Sequence, residues 1–147
     1  MARRFVWRLE TVLKSKFRIE EQRQQELAEA LAQLNRAVAE RERLAGLQAR
    51  CRDDLKRRQM GRLNPNDLVQ VNAYLETLDT QHRTVETQIE EAHHVVFEKR
   101  EALAQAVRDR QIFENLKARD YQVYRKEERK RDQTLMDELA ARKKWRM

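Results

Sequence analysis

Only three residues in this 147-residue chain readily interrupt a helix: Pro65, Gly46 and Gly61. Two of them fall inside the stretch Gly61-Arg62-Leu63-Asn64-Pro65. On either side run long segments dominated by Ala, Glu, Leu, Lys, Arg and Gln, all strong helix formers. Such a chain is expected to form two very long helices joined by one turn. The expected fold class is all-α, an antiparallel two-helix coiled-coil hairpin. The expected boundaries are helix one at about 5–60, a turn at about 61–64 and helix two at about 65–143, all within a single coiled-coil domain spanning 1–147.

The turn carries start and stop signals. Gly61 offers a positive-φ terminator for the first helix. Asn64 is a good N-cap, Pro65 suits the first helical position, and Asp67 falls three residues after the cap. Its carboxylate is favoured near the positive end of the helix dipole. Gly46 sits inside the first helix, where it costs ~1 kcal/mol relative to alanine, and is read as a tolerated soft spot.

Stepping alternately three and four residues from Leu68 visits Leu68, Val71, Leu75, Leu78, His82, Val85, Ile89, Ala92, Val96, Lys99, Leu103, Ala106, Arg110 and Phe113. Eleven of these fourteen are apolar, which makes the series a coiled-coil seam rather than the wider face of a globular-domain helix. Beyond Phe113 the apolar content moves to Leu116, Tyr121, Val123 and Tyr124, which reads as a stutter. The first helix is less regular. Leu27, Leu31, Leu34 and Val38 hold one spacing, the phase then shifts to Leu44, Leu47, Cys51 and Leu55, and the seam is weak between Phe17 and Leu27.

The hairpin geometry follows from these positions. Folding back about residues 61–64 sets Phe5 opposite roughly residue 120 and leaves residues ~121–147 as an unpaired C-terminal helical overhang. An unpaired helix with sparse apolar residues waits for a partner, so the overhang is the natural binding element. Charged residues make up 39% of the chain, against a typical ~25%. The net charge of +7 is unevenly spread: the first twenty residues and residues 117–147 are basic, as is the region of the turn. A cationic end of this kind suits an acidic protein socket, an anionic membrane surface or nucleic acid.

Catalytic chemistry has little to stand on. Two glycines cannot build a phosphate-cradling G-x-x-x-x-G-K-[ST] loop, and no G-x-S-x-G or C-x-x-C occurs. His82, His93 and His94 lack the spacing of a zinc-binding H-E-x-x-H pair. His82 falls on the seam, where a polar residue serves register or an interface. Cys51, the lone cysteine, reads as a small seam residue and points to a reducing compartment. No cofactor, metal or catalytic residue is expected, and enzyme activity is not expected from a rod without a concave site. Basic residues interleaved with Glu127, Glu128, Asp132, Asp137 and Glu138 make a weak nucleic-acid signal. No apolar run approaches a membrane span.

Three motifs, in order, resemble the FliJ family of flagellar type III export proteins. The first is Phe5-Val6-Trp7-Arg8-Leu9-Glu10-Thr11-Val12-Leu13, an F-x-aromatic-R-L-x-x-V-L opening. The second is Tyr74-Leu75-Glu76-Thr77-Leu78. The third is the ending Leu116-Lys117, the Tyr121/Tyr124 region, Gln133 and Met136-Asp137-Glu138-Leu139-Ala140. The resemblance covers essentially the whole chain. It implies a non-catalytic, stalk-like protein, monomeric and cytoplasmic at the inner face of the membrane. Its implied partners are the hexameric export ATPase FliI, the export gate protein FlhA and export chaperones. Injectisome stalks are close relatives, and a generic coiled-coil scaffold or a nucleic-acid or membrane-surface binder stays open as an alternative. The charge map together with these motifs makes Phe5, Trp7, Arg8, Leu9, Lys117, Tyr121, Arg125, Lys126, Arg129 and Lys130 the expected ATPase-ring contacts. The implied gate contacts are Tyr74 and Leu78. The alternative for the apolar ones, Phe5, Leu9, Leu116 and Tyr74, is that they complete the seam.

Overall fold

Asn64 starts the second helix as its residue type predicts. Its side-chain Oδ1 accepts from the Asn66 N–H at 3.3 Å, and its carbonyl accepts from the N–H groups of Asp67 and Leu68. Pro65 follows at the first helical position, where its missing N–H costs nothing. The computed structural model describes residues 4–61 and 64–145, so residues 62–63 of the expected turn lie outside the described residues. Two helices account for nearly all of it: α1 (Glu10–Gln59) and α2 (Pro65–Trp145). No strand occurs among the described residues, and the fold class is all-α with the two helices packed against each other.

Two expectations at the helix ends are corrected. No described glycine has positive φ, Gly61 included. The first helix instead closes with tightened i to i−3 bonds, Met60 N–H to the Arg57 carbonyl and Gly61 N–H to the Arg58 carbonyl, which satisfy two of the terminal carbonyls. Lys56, Arg57 and Arg58 in the last turn complement the negative end of the helix dipole. The first helix also begins at Glu10 rather than near residue 5. Residues 4–7 are non-helical, and the Trp7 carbonyl accepts from the Glu10 N–H at 3.2 Å.

The described chain groups into two units, each built from one stretch of either helix. The unit formed by Arg23–Leu103 holds a continuous apolar core. Leu44, Leu78, Val85 and Ile89 are buried together, with Leu34, Ala37, Val38 and Leu47 packed around them. Ala30 and Val96 are also buried. Polar side chains cross between the helices here. Lys99 Nζ lies 3.5 Å from Glu26, and Arg41 lies 3.8 Å from Glu86, which also faces His82. A hydrogen bond from Arg23, with the charge of Lys99 added, holds the Glu26 carboxyl below its usual pKa. As α1 runs from Glu26 to Arg41, the facing residue in α2 runs back from Lys99 to Glu86, so the pairing is antiparallel.

The second unit combines the residues up to Gln22 with those from Ala104 onward. Its buried side chains, among the described residues, are Trp7, Leu13 and Ala106. Glu10 faces Lys117 and Glu20 faces Arg110, so here too the order is antiparallel.

Burial resolves the irregular seam of α1. Residues 9, 13, 16, 20, 23, 27, 30, 34, 37, 41, 44, 48, 51 and 55 are all buried or half-buried, in unbroken alternating steps of four and three. The expected phase shift after Val38 and the weak stretch after Phe17 therefore do not occur. Lys16, Glu20, Arg23, Arg41 and Gln48 occupy seam positions, and a search for apolar residues passes over them. The expected stutter in α2 has the same explanation. The three-four stepping past Phe113 continues through Lys117, Asp120 and Tyr124, all half-buried. Val123, in contrast, is exposed.

Position 44 and position 46 make a sharp contrast two residues apart. Leu44 is 1% exposed, and Leu44→Ala is expected to destabilise the chain by about 2–4 kcal/mol through lost burial and a cavity. A Cβ added at Gly46 meets nothing within 4 Å. Gly46→Ala is therefore expected to stabilise by up to ~1 kcal/mol, through helix propensity alone. Thermal denaturation followed by circular dichroism distinguishes the two, and a destabilising Gly46→Ala would overturn this reading of the site.

Candidate partner-binding surface

Three aromatic residues meet where the chain enters α1. The Phe5 ring lies 5.4 Å from Tyr121 in an edge-on arrangement and 5.2 Å from Tyr124. Such contacts add about 0.5–1.5 kcal/mol beyond the area they bury. Trp7 is buried, and its indole Nε1–H donates to Asp120 Oδ2 at 2.8 Å. A tryptophan at this depth needs an acceptor, and the seam position of Asp120 supplies a charged one. Lys117 reaches Glu10 at 2.8 Å and also lies over the Trp7 ring, 6.0 Å from its centre.

Two helical turns from Lys117 and further into the unit, Arg110 organises a second polar group. It bonds Glu20 across the helices and Glu114 at 2.8 Å along its own, and its guanidinium lies 5.4 Å from the centre of the Phe17 ring. The hydrogen bond to Glu20 raises the Arg110 pKa, against the opposing cost of burial. Lys16 lies over Phe113 at 5.6 Å. Aromatic and cationic side chains thus do much of the packing that leucines do in a hydrophobic coiled coil.

The sequence-predicted ring contacts divide into two kinds. Phe5, Trp7, Leu9 and Lys117 are buried or half-buried and face inward. Arg8, Arg125, Lys126, Arg129 and Lys130 are exposed. Tyr121 lies between the two kinds. It touches Phe5, remains 40% exposed, and has Arg125 5.9 Å from its ring centre. From Arg125 to Trp145 every described residue but the half-buried Glu128 is exposed, while the helix continues unbroken. The large apolar side chains of that stretch, Leu135, Met136, Leu139 and Trp145, are all open to solvent.

The two predicted gate contacts, in the unit Arg23–Leu103, differ as well. Tyr74 is 47% exposed and available to a partner. Leu78 is 3% exposed and belongs to the core cluster with Leu44. It packs between the helices and presents no surface while they stay together.

Asp120 as the acceptor for Trp7, and Glu20 as the partner of Arg110, are the residues that sequence reasoning missed. Their signal was present in the three-four stepping itself, which lands on each of them once polar residues are admitted. Among the described residues, no group of three or more His, Cys, Asp or Glu side chains is placed to hold a metal ion. No helix among them is long and apolar enough to cross a membrane.

Comparison with known proteins agrees with the sequence motifs. The family model described as "Flagellar FliJ protein" matches residues 5–147. Neither curated proteins nor solved structures gave a match. Because the family model spans essentially the whole chain, from the Phe5 motif through the exposed end of α2, the protein belongs to the flagellar FliJ family.

Proposed function

We propose that this chain is a non-catalytic stalk or adaptor of the flagellar type III export apparatus. In this reading it binds the hexameric export ATPase FliI through the exposed end of α2 and couples the ring to the export gate protein FlhA and to substrate chaperones. It acts in the cytoplasm, held at the inner face of the membrane through the export complex. The observation that carries the ring assignment is the solvent-exposed helical stretch from Arg125 onward, with Arg125, Lys126, Arg129, Lys130 and Arg131 within two turns. A preformed helix of this kind loses little conformational entropy on binding and offers guanidinium and ammonium groups to an acidic socket. Tyr74, exposed in the other unit, is the side chain assigned to the gate.

The two helices give such an adaptor stiffness without a site for chemistry. Its work is recognition, and recognition by exposed cations acts strongly on association rate and specificity. The ring-facing assignment is separable from the fold because its charged residues lie outside the packed seam.

The test is charge reversal of Arg125, Lys126, Arg129 and Lys130 to glutamate, with binding measured on the assembled ATPase ring. Each exposed pair contributes modestly, and reversal turns attraction into repulsion. Affinity is expected to fall about 30-fold or more, with helical ellipticity unchanged. Undiminished ring binding by a fully helical variant would contradict the assignment of this end.

A further inference from the structure

The segment Arg4–Trp7 reaches α2 as a non-helical strap, and a few side chains hold it there. Phe5 and Trp7 turn inward, onto Tyr121 with Tyr124 and onto Asp120 respectively. Val6 between them points away and is 84% exposed. Alternation of this kind is that of an extended segment laid on a surface. Among the described residues no backbone hydrogen bond joins the strap to α2. The bond that the Trp7 carbonyl accepts comes from Glu10, at the start of α1.

The surroundings make this attachment separable. Of the three buried side chains among the unit's described residues, Leu13 and Ala106 lie within helices, and Trp7 belongs to the strap. Among the described residues, lifting Phe5 and Trp7 breaks the Trp7–Asp120 hydrogen bond, the contacts with Tyr121 and Tyr124 and the Lys117–Trp7 contact, and no bond within the α1 or α2 ladder. The Glu10–Lys117 pair marks the first point where α1 itself holds α2. Beneath the strap lie Asp120, Tyr121 and Tyr124, and the exposed stretch of α2 begins at the next residue, Arg125.

We propose that the Phe5–Trp7 strap is a latch that opens while both helices stay folded. When closed, it covers the face of α2 formed by Asp120, Tyr121 and Tyr124. When open, that face joins the exposed stretch from Arg125 onward, adding an aromatic and acidic surface of about one turn. The latch thus governs how far along α2 a helix-binding partner can reach. It goes beyond the export reading and does not depend on it, because opening is a property of the isolated chain. Local openings of this kind release a few side-chain contacts without unfolding the neighbouring helices.

The chain's two tryptophans, Trp7 and Trp145, provide the readout. Trp145 is 91% exposed, and Trp145→Phe leaves Trp7 as the sole reporter. Acrylamide quenching of Trp7 is followed through a urea titration beside far-UV ellipticity. The latch predicts that quenching rises about twofold or more while less than about a tenth of the helical signal is lost. Adding Phe5→Ala is expected to move the Trp7 curve to lower urea and leave the helical transition in place. Superposition of the two curves in both proteins would overturn the proposal, as would Phe5→Ala moving them together.

Discussion

Charged side chains at seam positions are the constraint on which the pairing of the two helices depends. A seam of leucines alone tolerates sliding by a heptad, because every layer resembles the next. Here Glu20 must meet Arg110, Glu26 must meet Lys99, and Arg41 must meet Glu86. A heptad slip would separate each pair and leave half-buried charges without their partners, a costly outcome in a partly desolvated seam. Polar layers of this sort commonly trade stability for a defined register and orientation. The unit Arg23–Leu103 sets them beside the buried cluster of Leu44, Leu78, Val85 and Ile89. The terminal unit relies on them more heavily, with cation–aromatic packing in place of much of the leucine.

This constraint also accounts for what the sequence showed and what it hid. The single break at Gly61–Pro65, the Asn64 cap and the α2 seam from Leu68 to Phe113 were legible because each rests on local chemistry: backbone freedom, a capping side chain, apolar periodicity. The meeting of Phe5 with α2 near residue 120 followed from counting back from the turn. The α1 seam was misread at Lys16, Glu20, Arg23, Arg41 and Gln48, since a polar residue on a buried line looks like a gap until its partner is known. Asp120 was passed over for the same reason. Its role depends on Trp7, more than a hundred residues away in sequence. Leu78 shows the converse case, in which a residue within a family-like motif is also core, and only burial reveals that packing claims it.

A division of labour follows within the terminal unit. Phe5, Trp7, Lys117 and Asp120 hold the chain's beginning to α2, while the residues from Arg125 onward are left helical and exposed. The exposed stretch begins just past Tyr124, which Phe5 touches. It retains helical form because Ala, Leu, Glu, Lys and Arg dominate it and because Arg142, Lys143 and Lys144 favour the helix C-terminus. An exposed preformed helix and a packed region can then vary separately, since substitutions outside the seam leave the register pairs untouched.

Antiparallel pairing within one chain is the central claim, and a distance between spin labels tests it most directly. Gln33 and Val95 line one groove between the helices. Labels at Gln33→Cys and Val95→Cys, in a Cys51→Ala background, are expected to lie within about 30 Å, as facing helices ~10 Å apart with flexible label arms require. The distance should persist when labelled protein is diluted with excess unlabelled protein. A separation beyond about 60 Å, as in one continuous helix rising 1.5 Å per residue, would contradict the account. So would a short distance that disappears on dilution, which would place the contact between copies of the chain.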